Sequence, residues 1–138
     1  MSTALGWPLL AVDFGLVVLI WMTQLIVYPS FLAVDQDRFV AWHRAYTRRI
    51  TLLVVPLMFG QAGLHALRLA YAPTPVSAGA AAAVAAAWVV TFVGAVPCHR
   101  ALSADGLSEA VIRRLLRWNR WRTVCWTGAF LLSAVAAG

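Results

Sequence analysis

Apolar residues run almost unbroken over 5–28, 50–71 and 76–96, and again from Thr123 to the end. Crossing a bilayer takes roughly 20 mostly apolar residues in a helix. The first three runs meet that length. The fourth meets it only if its helix starts upstream, which gives 115–137. The pattern therefore predicts an all-α fold, a four-transmembrane-helix bundle forming one domain over 1–138. No internal repeat is evident.

The intervening segments differ. Ala72-Pro73-Thr74-Pro75 is a tight turn with two helix breakers, so spans two and three are expected to be antiparallel neighbours. The other two connections are longer and read as amphipathic cytoplasmic helices. In the first, Asp35 and Asp37 can cap a helix, and Phe39, His43, Tyr46 and Ile50 follow helical spacing. In the second, Asp105-Gly106 makes a turn and Ser108 an N-cap. Beyond it Ile112, Leu115, Leu116, Asn119, Thr123 and Trp126 share one face. Arg113, Arg117 and Arg120 line another, and Arg122 borders the apolar one.

Composition narrows the class. The chain is 62% hydrophobic and 12% charged, against about 45–50% and about 25% in soluble domains. This excludes a disordered chain, a coiled coil and nearly every soluble fold. The net charge of +6 comes from 11 basic residues, all arginine. Ten lie in the two long connections and only Arg68 lies towards the opposite side. By the positive-inside rule both connections are cytoplasmic and both termini outside. Clusters that flank apolar runs contact lipid headgroups, so nucleic acid is not an expected partner. The first run carries Asp13 and Gln24 and lacks a basic leader, so it reads as a span and not as a cleavable signal. Cys98 and Cys125 form no metal motif and read as buried thiols. The small-residue run Gly79 to Ala87 is expected to pack centrally, inside the bundle or a homo-oligomer.

Polar side chains in hydrocarbon need a partner or a task. Gln24, His43, His99, Asn119 and Arg122 all fall within about two turns of the cytoplasmic interface, with Tyr28 beside them. Gln61 lies roughly 16 Å further in than Ile50. Together these residues outline a cup open to the cytoplasm or the inner leaflet. Each also has a plainer reading. His43 and Arg122 suit headgroup level, His99 a helix C-terminus, Asn119 a helix bridge, and Gln24 and Gln61 a mutual hydrogen bond. Pro56 and Pro97 free the carbonyls of Leu52 and Val93 within the bilayer. On the outer half, Asp13 is expected to pair with His65 or Arg68.

Tyr28-Pro29-Ser30-Phe31, Trp42-His43, Pro56-Leu57-Met58 with Gln61, Val96-Pro97-Cys98-His99 and Asn119-Arg120-Trp121-Arg122-Thr123 with Trp126 together form a distinctive pattern. It resembles a family of small four-helix bacterial integral membrane proteins. The layout is also similar to that of anthrone-oxygenase-like proteins. The resemblance implies a bacterial inner-membrane location and four spans, and it assigns no catalytic residue.

The function read from these residues is an intramembrane enzyme acting on a lipid-soluble small molecule, an oxidoreductase or an isomerase or cyclase. His43 or His99 serves as acid and base, and Asn119 and Arg122 stabilise negative charge on oxygen. Gln24, Tyr28, Gln61 and Trp126 line the substrate site. No metal ligand set and no particular cofactor is assigned. The alternatives are a metal- or haem-binding bundle and a non-catalytic assembly subunit anchored by its tryptophans.

Overall fold

The structure, a computed structural model, describes residues 2–136. The last residue of the span expected over 115–137 lies outside them. The described residues are helical, with short connections and no strand. Helix α1 begins as Ser2–Met22 and continues through a π-helical turn, Thr23–Val27, an α-helical turn, Tyr28–Ser30, and a 3₁₀ turn, Phe31–Ala33. Helix α2 is Gln36–Tyr71. Helix α3 runs as Pro75–Val90, a π-helical turn at Thr91–Ala95, and Val96–Asp105. Helix α4 is Glu109–Val135. Helices α1, α2 and α3 are long and apolar enough to cross a membrane.

Each helix packs on its sequence neighbour, and α4 closes the ring against α1. The closest packing joins α3 to α4. There Ala80, Val84 and Ala87 are buried, because short side chains let the two backbones approach. One face of the small-residue run is thus taken up within the chain, while Ala82, Ala85 and Ala86 on the other stay exposed. The turn between α2 and α3 is closed by a reciprocal cap. Ser77 N–H donates to Thr74 Oγ1, and Thr74 N–H donates to Ser77 Oγ, with Pro75 in the first helical turn.

Neither long connection forms a separate amphipathic helix, contrary to the pattern reading. Residues 36–49 are the first turns of α2, and 96–105 and 109–122 belong to α3 and α4. The true connections are Val34–Asp35 and residues 106–108. A continuous helix keeps every i to i−4 bond, so extending the spans leaves fewer unpaired backbone groups than adding helix ends would. Helix α2 has 36 residues, about 54 Å of helix against roughly 30 Å of hydrocarbon. Gly106, at φ 89°, makes the turn that a side chain resists. Ser108 then caps α4 by accepting from Val111 N–H.

The extended ends have their own core. Tyr28, Phe31, Phe39, Ala95, Cys98, Leu102, Ile112 and Leu115 form one buried cluster. A second, deeper cluster holds Leu16, Ile20, Met58, Ala87 and Trp126. Elsewhere the outside is apolar and the inside is partly polar. Phe14, Leu52, Phe59, Phe92, Val124 and Leu131 are exposed, whereas Asp13, His43, Gln61, His65, Asn119 and Arg122 are buried. On α4 the predicted faces hold. Ile112, Leu115, Asn119, Thr123 and Trp126 are buried, and Arg113, Arg117 and Arg120 are exposed.

Candidate functional site

Two helices carry the same distortion. Thr23 and Pro29 are six residues apart, as are Thr91 and Pro97. Each proline ring excludes the carbonyl four residues back, at Leu25 or Val93. The helix widens to avoid that clash, so Tyr28 N–H bonds to Thr23 O, and Val96 N–H to Thr91 O, across five residues. Each threonine hydroxyl donates to its own i−4 carbonyl, Thr23 to Leu19 at 2.7 Å and Thr91 to Ala87 at 2.8 Å. The sequence therefore holds a short local repeat, Thr-x5-Pro, where no internal repeat was expected. Pro56 produces no such widening, since α2 stays α-helical through it.

The widened turns present Tyr28 and His99 to each other. Tyr28 Oη lies 3.0 Å from His99 Nε2. His99 Nδ1 is 3.1 Å from His43 Nε2, and His43 Nδ1 is 2.9 Å from Ser103 Oγ. Four side chains from α1, α2 and α3 thus form one hydrogen-bonded series. Phe31 anchors the surrounding rings, meeting Trp42, His43 and Tyr46 edge-on at 5.3, 5.4 and 5.1 Å between centroids. The series points inward to a cavity of about 300 Å³.

The cavity is lined by Thr23, Tyr28, Tyr46, Met58, Trp88, Thr91, His99 and Arg122, with apolar residues of α1, α2 and α3 between them. Its exposed lining, Thr51, Val55, Phe59 and Phe92, belongs to α2 and α3. The opening therefore lies between these helices on an apolar flank. Of the two openings expected for the cup, to the cytoplasm or to the inner leaflet, a lateral apolar opening corresponds to the second.

Arg122 lines the same cavity and is only 5% exposed. Its Nη1 donates to Asn119 Oδ1 at 3.2 Å, and Asn119 Nδ2 donates to Gln24 Oε1 at 2.9 Å. The guanidinium sits over the Trp126 ring at 4.8 Å. Among the described residues no carboxylate pairs with it. Its Nε has no hydrogen-bond partner, and neither have Trp88 Nε1 and Trp126 Nε1. Unmet donors of this kind cost about 1–3 kcal/mol each when buried.

The residues chosen from sequence therefore occupy different shells. Tyr28, His99 and Arg122 line the cavity. His43 stands behind His99, Asn119 behind Arg122, and Trp126 beneath Arg122. Gln24 faces a separate groove between α1 and α4 and is joined to Arg122 through Asn119. Gln61 is not part of this site and does not pair with Gln24. It donates to Asp13 Oδ1 at 2.6 Å. His65 Nε2 lies 3.1 and 3.2 Å from the same carboxylate, and Ser133 Oγ donates to it at 2.7 Å. Side chains of two helices, α2 and α4, thus satisfy one buried carboxylate of α1. Arg68 instead bonds the Ala136 carbonyl. Helical phase explains the error, since depth alone does not say which neighbour Gln61 faces.

Ser103, Tyr46 and Trp88 were missed. Ser103 follows His99 by four residues, the spacing that places both on one helix face. Tyr46 follows His43 by three. For Trp88 no comparable local signal exists. The described residues contain no group of three or more His, Cys, Asp or Glu side chains placed to hold a metal ion. No family model, curated protein or solved structure matches the chain.

Proposed function

We propose that the protein is an integral membrane enzyme that isomerises a lipid-soluble carbonyl compound by proton transfer. One observation carries this reading: Arg122, a buried cation without a carboxylate, shares a cavity with the hydrogen-bonded Tyr28–His99 pair. A guanidinium keeps its charge and must find an acceptor. A ligand carbonyl oxygen is such an acceptor and fits a cavity whose walls are otherwise apolar.

The chemistry follows from the placement. Arg122 holds the carbonyl oxygen and stabilises the negative charge that grows there. Tyr28 oxygen takes a proton from the carbon beside the carbonyl while the Tyr28 proton passes to His99 Nε2. A C–H bond breaks, an O–H bond and an N–H bond form, and the phenolic O–H bond breaks. The electron pair moves onto the enolate. Return of the proton to a different carbon completes the isomerisation without an oxidant. The apolar surroundings strengthen both interactions, and the opening between α2 and α3 admits substrate from the lipid.

The setting is a four-span bundle in a bacterial inner membrane, in keeping with the small membrane proteins the motifs resemble. The support for α4 as the fourth span is its exposed apolar flank, Trp121, Val124, Leu131 and Val135. The arginine-rich helix ends face the cytoplasm.

The test is a β,γ-unsaturated cyclic ketone supplied to the protein in lipid nanodiscs. Conjugation to the α,β-enone is followed by ultraviolet absorbance. Conversion that is lost in Tyr28→Phe and Arg122→Met is the expected result. No conversion and no deuterium uptake at the α-carbon across a graded series of apolar ketones overturns the proposal.

A further inference from the structure

The hydrogen-bonded series behind the cavity continues past His99, and its far end is not sealed. We infer that Tyr28, His99, His43 and Ser103 form a proton relay between the cavity and the aqueous face at the helix ends, with Ser103 as its entry point.

The geometry allows two complete hydrogen arrangements. In one, Ser103 donates to His43 Nδ1, His43 Nε2–H donates to His99 Nδ1, and His99 Nε2–H donates to Tyr28 oxygen. The Tyr28 hydroxyl is then free to donate into the cavity. In the other, every donor and acceptor along the series is exchanged, and Tyr28 oxygen accepts from the cavity. Both arrangements keep both imidazoles neutral. They interconvert when one proton leaves at each link and one arrives, so the net result moves one proton from end to end. All three links measure 2.9–3.1 Å, within hydrogen-bond range.

The outer end lies in the last turns of α3. Ser103 is half-buried, while Ala104 and Asp105 are exposed. Arg44 Nε donates to the Ser103 carbonyl at 3.1 Å, which fixes that turn against α2. The inner end meets an apolar cavity with little access to water. Protons consumed or released there have in this series a continuous line of groups that both donate and accept. The inference rests on reading Tyr28 as the group facing the reactant, but its test requires no reactant.

The chain has three histidines, so protein labelled with ¹⁵N-histidine gives a short, assignable spectrum. In nanodiscs, His43 and His99 are each expected to carry one ring proton, with correlated tautomers. Ser103→Ala should slow exchange of the His99 ring proton with water on the order of tenfold or more. Ser103→Thr should restore it, and His65, in the separate Asp13 cluster, should not change. Retained ring contacts in the Ser103→Ala spectrum separate loss of the relay from loss of fold. Unchanged His99 exchange in Ser103→Ala overturns the inference, and so does exchange slowed only by Tyr28→Phe. Loss of the relay with ketone conversion intact leaves the proposed reaction standing, and the reverse result leaves the relay standing.

Discussion

The Tyr28 hydroxyl meets His99 Nε2 at 3.0 Å across 71 residues of sequence, and each partner follows a π-helical turn set by a proline. One extra residue per turn rotates everything beyond it by about 100°. Turns of this kind recur at functional sites for that reason. Substituting Pro97→Ala removes the clash at Val93 and should let a regular turn return. Helix content by circular dichroism should hold, while the His43–His99 coupling disappears from the ¹⁵N spectrum. An unchanged spectrum counts against proline control of the site.

Arg122 should oppose stability and serve binding. Arg122→Met removes an uncompensated buried charge, so thermal unfolding in nanodiscs should show a gain of about 2 kcal/mol. Ketone conversion should vanish in the same variant. Arg122→Lys should not restore it, because an ammonium lacks the planar set of donors. A large loss of stability in Arg122→Met means the guanidinium is structural.

The Asp13 cluster should behave as a buried ion site. His65→Leu leaves the carboxylate short of a partner and should cost about 3 kcal/mol. Asp13→Leu should cost less, since it removes the charge itself. Arg68→Leu should cost about 1 kcal/mol, the loss of one hydrogen bond to the Ala136 carbonyl. Equal folding yields for all three variants argue against the cluster.

Gly94 should tolerate no side chain. A Cβ there runs into the indole ring of Trp118, one turn before Arg122. Gly94→Ala should destabilise by about 2 kcal/mol and lower ketone conversion by displacing α4. Gly63, where a Cβ meets nothing within 4 Å, is the control. Gly63→Ala should gain about 1 kcal/mol, the helix-propensity difference.

Orientation is tested by single cysteines in a chain with Cys98 and Cys125 replaced. Positions 36 and 105 should react with a membrane-impermeant thiol reagent only from the cytoplasmic side, and position 74 only from the other. The reverse pattern overturns the topology.

Periodicity by itself determined much here. Apolar length set the helices, the arginine split set one helix end apart from the other, and helical phase buried Asn119 and exposed Arg113, Arg117 and Arg120. These properties are local: they depend on hydropathy and on 3.6 residues per turn. Residue counting also gathered His43, His99, Asn119 and Arg122 near one depth, because rise per residue is fixed. Tertiary structure alone decided which of them touch. Gln61 turned to Asp13, and Gln24 to Asn119, because neighbours are set by how α1 packs on α2 and α4. The two helical connections became extensions of the spans, since unbroken helices leave fewer backbone groups unpaired. The cavity's lateral opening follows from the gap between α2 and α3, a matter of helix packing that no stretch of sequence encodes alone.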